Sequence, residues 1–434
     1  MSDTIYALSS APGRAGVAVV RVSGPAASAV AERFCGDRPA PRRAALRVLT
    51  GADGGQIDQA LVLWFPAPGS FTGEDVAEFQ VHGGRAVVER LLAEIGVLAG
   101  TRPAEPGEFT RRAVENGKFD LTQAEALLDL IDAETEAQRG QALRQYDGAL
   151  SELYESWRER LVRVLAWAEA EIDFAEEELP DDLNARATVQ VTDIIAEINS
   201  HLADGRHGEI VREGLFLTVI GPPNAGKSSL INALAKRDVA IVAETAGTTR
   251  DIIEVRLDIG GFLVVMADTA GLRESADVVE SEGVRRALKR AEQSDLVLLL
   301  LDGSQGDPLA GLPDAPKADL VVWNKADLPS PQWVDGMHVS LKTGAGLDAL
   351  LAELETIVRD RLSRRGDAPA VTRARHRHAL REALAALGRA LTGPEAALFA
   401  EDLRLAVRAI GRITGRVDVE DVLDVVFRDF CIGK

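Results

Sequence analysis

The sequence predicts a multidomain chain of α/β and α architecture: an N-terminal α+β domain, a helical domain, and an inserted α/β domain with a doubly wound parallel sheet. Three changes of texture along the 434 residues carry this prediction. Residues 1–118 alternate the β-rich runs Val17–Val22, Ala60–Phe65 and Val76–Val81 with Gly/Pro turns and one helix near Ala86–Glu94, an α+β pattern. From Leu121 the chain turns helical. Leu143, Tyr146, Leu150, Leu153, Trp157, Leu161, Val164, Ala168 and Ile172 recur three and four apart, which predicts a long amphipathic helix interrupted near Gly140 or Gly148. The stretch Glu169–Asp182 carries eight carboxylates and no basic residue, and reads as a solvated helix end. Between Val211 and Leu362 short apolar strands (Leu215–Ile220, Phe262–Ala267, Leu296–Leu301) alternate with helical segments, as a doubly wound parallel sheet requires. Val371–Lys434 is again helical and rich in Ala, Leu and Arg. The α/β part is therefore expected to interrupt one helical domain, with boundaries at 1–118, 119–210, 211–365 and 366–434.

Composition narrows the partners. A net charge of −19 argues against broad attraction to nucleic acid, so any RNA contact needs a local patch or a partner protein. The basic cluster Arg373–His378 is one such patch, with a solvated helix start as its alternative. Cys35 and Cys431 lie at opposite ends of the chain, which fits a reducing cytosol. The first residues do not form a signal peptide, and the longest aliphatic run is too short for a bilayer, so the expected location is cytoplasmic with no membrane contact.

Chemistry concentrates in four motifs in order. Gly221-Pro-Pro-Asn-Ala-Gly-Lys-Ser-Ser229 follows a predicted strand and opens a helix, the context in which a glycine-rich loop cradles phosphates on its backbone N–H groups. Asn224, Ala225, Gly226, Lys227, Ser228 and Ser229 are thus phosphate-site candidates, with Lys227 on the β and γ phosphates and Ser228 on Mg²⁺. The segment Ala243, Glu244, Thr245, Ala246, Gly247, Thr248 and Thr249 supplies a second hydroxyl for Mg²⁺, best matched by Thr249. Asp268, Thr269, Ala270 and Gly271 form the next motif, with Asp268 toward the metal through water and the Gly271 N–H toward the γ phosphate. In Asn324, Lys325, Ala326 and Asp327 the last carboxylate can accept from N1–H and the exocyclic N2–H of guanine, a donor pair adenine lacks. The four motifs together predict binding and hydrolysis of GTP.

One position departs from Ras-type enzymes. Where they carry a water-orienting glutamine this chain has Leu272, so catalysis needs another group. Glu280 and Glu282 are the acidic candidates, against the plainer reading of solvated loop charges. The Asn224 amide beside the carbonyls of the 243–248 segment could hold a monovalent cation where an arginine finger otherwise acts.

Taken together these residues resemble the MnmE or TrmE family of tRNA-modifying GTPases, over essentially the whole chain. The resemblance rests also on Pro12-Gly-Arg-Ala-Gly16, Val20-Arg-Val-Ser-Gly24, Phe71-Thr-Gly-Glu-Asp-Val76, His82-Gly-Gly84, Arg102-Pro103, Pro106-Gly-Glu-Phe-Thr110, Lys118–Glu125 and the tail Cys431-Ile-Gly-Lys434. It implies an N-terminal homodimerising domain that binds a reduced folate (5-formyl- or 5,10-methylene-tetrahydrofolate) through Arg21, Glu78 and Lys118, with Lys434 near that site. It implies K⁺ on Asn224 and on Ala243, Thr245 and Thr248, hydrolytic water oriented by Glu280, and Arg273 near the switch. It implies a FAD- and NADH-dependent MnmG/GidA-like partner forming a heterotetramer or larger assembly, and tRNA wobble uridine as the site of modification. For Cys431 a covalent role at uridine and a merely positional role stand side by side. A ribosome-assembly GTPase is the alternative class, although the tail has no GxxG. Two departures from the family pattern are Ala15 for a glycine in the N-terminal loop and the segment Ser340-Leu-Lys-Thr343 for Ser-Ala-[Lys/Arg], which the resemblance implies lies near the guanine with Ser340, Leu341 and Lys342 binding GTP.

Overall fold

The structure is a computed structural model and describes residues 3–173, 183–237, 239–241, 254–267, 292–306, 317–329, 336–362, 369–393, 395–417, 426–427, 430 and 432–433. In chain order the elements are β1 (Thr4–Leu8), β2 (Ala15–Ser23), α1 (Ala27–Cys35), β3 (Ala45–Thr50), β4 (Gln56–Phe65), β5 (Val76–Gly83), α2 (Arg85–Gly96), β6 (Thr101–Pro103), α3 (Glu108–Glu115), α4 (Leu121–Ile131), α5 (Glu136–Tyr146), α6 (Ala149–Asp173), α7 (Leu183–Leu202) and α8 (His207–Glu213). They continue with β7 (Leu215–Ile220), α9 (Lys227–Ala235), β8 (Ala240–Ile241), β9 (Glu254–Ile259), β10 (Phe262–Ala267), β11 (Leu296–Asp302), β12 (Leu320–Asn324), β13 (Met337–His338), α10 (Leu347–Leu362), α11 (Ala374–Thr392) and α12 (Ala396–Thr414). The chain divides into two compact units: residues 1–128, 146–190 and 385–434 in one, and 129–145 and 191–384 in the other.

The first unit begins with a six-stranded sheet in the order β3-β4-β5-β2-β1-β6. All its pairs are antiparallel except β1 with β6. Period-two alternation along β2, β4 and β5 turns Val20, Val22, Val62, Trp64 and Phe79 onto one face, where Phe34 of α1 and Leu91 and Ile95 of α2 cover them. Ile5 and Ala7 of β1 pack with Ala104 and Phe109 in a second cluster. The long helical pattern breaks at Gly148, whose φ of +100° ends α5 before α6 begins. Gly140 lies inside α5 and causes no break. The buried stripe of α6 runs Leu150, Tyr154, Trp157, Leu161, Val164, Ala168. Tyr154, not Leu153, occupies the i+4 position on the buried face, and α12 packs against this helix through Thr414–Glu155 and Arg404–Glu169 bonds.

In the second unit a seven-stranded sheet runs β13-β12-β11-β7-β10-β9-β8. It is parallel from β13 to β10, and β9 and β8 close one edge antiparallel, so the predicted parallel sheet is a mixed one. Every residue of β11 is buried because both faces are covered. Leu298 and Leu300 join the Leu217, Leu230, Leu350 and Leu354 cluster, while Val297, Leu299 and Leu301 join Ile220 and Trp323.

The basic cluster at the start of α11 is largely internal. Arg373 pairs with Asp129 at 2.6 Å, His376 is buried, and Arg377 is buried between Asp204 and Glu209. These side chains are structural ties within the unit, which removes them from the candidate RNA contacts. Among the described residues no helix is long and apolar enough to cross a membrane.

Candidate functional site

Among the described residues, the phosphate loop after β7 and the Asn324–Asp327 motif after β12 meet at the carboxyl ends of their strands, where the strand order reverses around β7 and open α/β sheets leave a crevice. Strand β7 delivers the chain to Gly221, where a Cβ would collide with the Leu300 carbonyl. Asn224 then takes a left-handed φ of +61° and Gly226 one of +105°, and α9 starts at Lys227. A Cβ on Gly226 would stand 2.5 Å from Asn324 Nδ2, so only glycine lets the loop approach the base motif. Lys227 Nζ donates to the carbonyls of Gly221 (2.8 Å) and Pro222 (2.9 Å), which holds its ammonium over the loop. Ser228 is half-buried in the first turn of α9, where helix N–H groups lack intrahelical partners and the dipole favours an anion. These residues suit a triphosphate and one hydroxyl ligand to Mg²⁺.

The base side is prepared as carefully. Asn324 is buried at the end of β12; its Nδ2 donates to Ala225 O at 2.8 Å and its Oδ1 accepts Leu341 N–H at 3.2 Å. One amide thus ties the phosphate loop to the 340–342 segment. Asp327 Oδ1 accepts the Ser340 hydroxyl at 2.7 Å. That bond, with Lys342 and Lys325 nearby, holds the Asp327 carboxyl below its ordinary range and therefore ionised as an acceptor. A cavity of about 360 Å³ opens between the two sides, lined by Asn224, Gly226, Ser229, Asn324, Lys325, Asp327, Leu328, Leu341 and Lys342. Leu341 contributes its backbone N–H and an apolar wall, so the departure from the family pattern leaves the backbone contact in place. Sequence reasoning missed Leu328 in this lining and Asp302, which pairs with Lys325 at 2.6 Å. The signal for Asp302 was available: a carboxylate ending a wholly apolar central strand faces the crevice. The expectations for Ala243–Thr249, Asp268–Gly271, Leu272, Arg273, Glu280 and Glu282 concern residues outside those described.

In the other unit Arg21 and Glu78 are direct cross-strand partners on β2 and β5, and Arg21 Nε donates to Glu78 Oε1 at 2.9 Å. The guanidinium lies 5.2 Å from the Phe71 ring centre and 5.7 Å from that of Phe109. Phe71 in turn packs on Phe119, and Lys118 Nζ donates to Pro68 O at 2.9 Å. Arg21 and Glu78 are thus brought together directly, whereas Lys118 is linked to them only as the sequence neighbour of Phe119, which packs on the Phe71 ring. Three motifs separate in sequence share one ion-pair network in this unit. Glu108 binds Arg102 at 2.6 Å and Arg112 at 2.9 Å, and Arg112 reaches Glu74 at 3.1 Å. Ser23 Oγ donates to Glu74 Oε2 at 2.7 Å. Burial pushes the Glu108 carboxyl up, but the bonds from Arg102, Glu105 N–H and Arg112 outweigh it and hold it below its ordinary range. Ala15 does not take a positive φ, so its substitution for glycine strains nothing. Cys431 and Lys434 lie outside the described residues; between them Ile432 bridges Pro106, and a Cβ on Gly433 would strike the Leu8 carbonyl. Ile432 therefore meets the loop that leads into α3, and Gly433 meets the end of β1.

Comparison with known proteins matches residues 4–118 to the family described as GTP-binding protein TrmE N-terminus and residues 121–431 to the MnmE helical domain. A tRNA modification GTPase MnmE from Parvibaculum lavamentivorans is 56% identical over 440 residues, covering 100% of each chain. The protein of the same name from Rhodospirillum rubrum is 54% identical over 456 residues, covering 100% of this chain and 99% of that one. Among solved structures, Era in complex with MgGDPNP and 16S ribosomal RNA nucleotides aligns at 26% identity with 32% of this chain and 55% of its own, TM-score 0.25. Matched from end to end by the family's domains and by its full-length members, the chain belongs to the MnmE family of tRNA modification GTPases.

Proposed function

We propose that this protein hydrolyses GTP to drive modification of tRNA at C5 of the wobble uridine, in the cytoplasm, as a homodimer working with a flavin- and NADH-dependent partner. The observation that carries the reading is the cavity in which the phosphate loop and the Asp327–Ser340 pair meet, in a chain related to MnmE proteins along its whole length. Lys227 would neutralise phosphate charge, Ser228 and Thr249 would hold Mg²⁺, and Asp327 would select guanine. Mg²⁺ supplies charge neutralisation at the β and γ phosphates when bound.

The β9–β10 hairpin supports a mechanical use of that hydrolysis. In sequence the hairpin lies between the two motif segments, with 243–249 upstream of β9 and 268–271 directly after β10. Its turn and its first strand are tied to the helical segment: Ala137 N–H donates to Gly261 O at 3.0 Å, and Arg256 of β9 pairs with Glu134 at 3.1 Å. A change at the γ phosphate would reach α5 through these two contacts. The purified chain should turn over GTP, and mass analysis of tRNA nucleosides from cells lacking it should show wobble uridines without their C5 substituent. Normal nucleosides in those cells would refute the proposal.

K⁺ fits the same loop, since Asn224 turns its left-handed backbone at the cavity and presents an amide there. Turnover is expected to be faster in K⁺ than in Na⁺, and Asn224→Ala should erase the difference. Equal wild-type rates in the two salts would dismiss the ion. In the N-terminal unit, the Arg21–Glu78 pair over two aromatic rings offers a cation, a carboxylate and flat apolar faces, which suit a pterin and its glutamate tail. A bound reduced folate would supply the carbon unit. Calorimetry of the full chain with 5-formyl-tetrahydrofolate should detect binding that Glu78→Ala abolishes; undiminished binding by that variant would remove Glu78 from the site.

A further inference from the structure

We propose that Asp302 is a positioning residue for the guanine pocket: by anchoring Lys325 it makes the lysine stem, rather than its charge, one wall of the base slot. The inference deepens the guanine-nucleotide reading and rests on it.

Register aligns the last residue of β11, Asp302, with Asn324, the last of β12. Asp302 is only 6% exposed. Its Oδ2 accepts Lys325 Nζ at 2.6 Å, and its Oδ1 accepts both Ser304 N–H (3.0 Å) and Ser304 Oγ–H (2.6 Å). The anchor is itself anchored, because Gly303 N–H donates to Asn324 O at 3.0 Å and fixes the turn to the base motif. Burial favours the neutral acid, but the lysine and serine bonds outweigh it and keep the carboxylate ionised.

The lysine backbone is committed as well. Lys325 has a φ of +65°, a left-handed conformation uncommon outside glycine and asparagine, so its side-chain direction is set by the turn. Lys325 lines the cavity whereas Asp302 does not. The ammonium is therefore drawn out of the cavity toward a buried carboxylate, and the methylene stem is left along its edge. Leu328 and Leu341 are the other apolar members of the lining. A flat purine fits between such surfaces, with Asp327 at its polar edge. An unanchored lysine would sample many rotamers and bring a hydrated charge into the slot.

The test uses the full chain and a fluorescent GDP analogue with steady-state GTP turnover. Asp302→Asn should weaken GDP binding and raise KM for GTP by about tenfold each, the scale of one charge-assisted hydrogen bond, with kcat within about twofold. Lys325→Met keeps a stem of similar length without the charge. Adding Asp302→Asn to Lys325→Met should cost nothing further, because the two residues act through one contact. Thermal melts of each variant separate unfolding from loss of binding, and Ser304→Ala, which loosens the carboxylate without removing it, should raise KM in the same direction. Unchanged GDP affinity and KM in Asp302→Asn, or full additivity with Lys325→Met, would overturn the proposal alone. A wild-type chain that binds no guanine nucleotide would overturn the guanine reading itself, and this proposal with it.

Discussion

Replacing Glu280 with alanine is expected to slow GTP hydrolysis by about 10²–10⁴-fold, the range for loss of a positioned base, while guanine-nucleotide affinity is retained. The separation follows from where the two functions reside. Affinity depends on Lys227 over the phosphate loop, on Asn324 bracing that loop, and on Asp327 oriented by Ser340. These contacts join residues 221–227, 324–327 and 340. Leu272, in the place of a water-orienting glutamine, cannot hydrogen-bond to water, so the proposed carboxylate has to come from further along the loop. Single-turnover hydrolysis and equilibrium GDP binding measured on the same preparation check both halves. Loss of affinity along with rate would make Glu280 a binding residue, and a larger defect in Glu282→Ala would move the role by two residues. If hydrolysis drives the modification, tRNA from cells carrying only the Glu280→Ala form should also lack its wobble substituent.

The legible and illegible parts of this chain differ for physical reasons. Motifs confined to one turn were readable, because the phosphate loop needs its glycines and lysine at fixed spacing whatever surrounds them: α9 begins at Lys227 as the loop geometry demands. Strands β7, β10 and β11 were readable as apolar runs, since both faces of a central strand are buried. Partnerships across long sequence separations were not. Arg102, Glu108 and Glu74 appear as pieces of three motifs and Arg112 as part of none, and only folding shows one network. The antiparallel edge of β8 and β9 was hidden for the same reason, as periodicity says nothing about strand direction. The cluster at Arg373–His378 misled because charge predicts solvent by default. Its acidic partners, Asp129, Asp204 and Glu209, lie more than a hundred and sixty residues upstream.

That buried cluster carries the largest expected effect on stability. Arg377→Ala should destabilise the fold by about 3–5 kcal/mol, the cost of removing one partner from a buried ion pair. Arg377 donates to Asp204 Oδ1 at 2.8 Å, Glu209 Oε1 at 3.0 Å and the Leu202 carbonyl at 3.0 Å. Its loss removes a charged partner from two buried carboxylates, leaving Asp204 Oδ1 to the Arg206 N–H and Glu209 to the Arg206 guanidinium, and Asp204 Oδ2 already lacks a hydrogen-bond partner among the described residues. Denaturant titration reads the loss, and pH gives it a signature. Burial pushes the Glu209 carboxyl up, but bonds from Arg206 and Arg377 outweigh it and leave it below its ordinary value of 4.5. A depressed carboxylate stabilises the folded state above that value and loses its contribution as pH falls through the folded pKa, so the gap between wild type and variant should narrow in acid. His201 works in a second window. Burial, with Arg377 adding to it against Asp204, pushes the imidazole down from 6.5 to about 4. The unfolded chain binds that proton first, so wild-type stability should decline as pH drops from 6.5 toward about 4. Removing the Arg377 charge should soften that decline. The consequence reaches the nucleotide, because Glu209 sits in α8, which leads through Gly214 into β7 and the phosphate loop. GDP should therefore recover part of the lost stability by mass action. A variant that melts like wild type at neutral pH would show that the carboxylates find water or another cation, and that the cluster does not hold α8 in place.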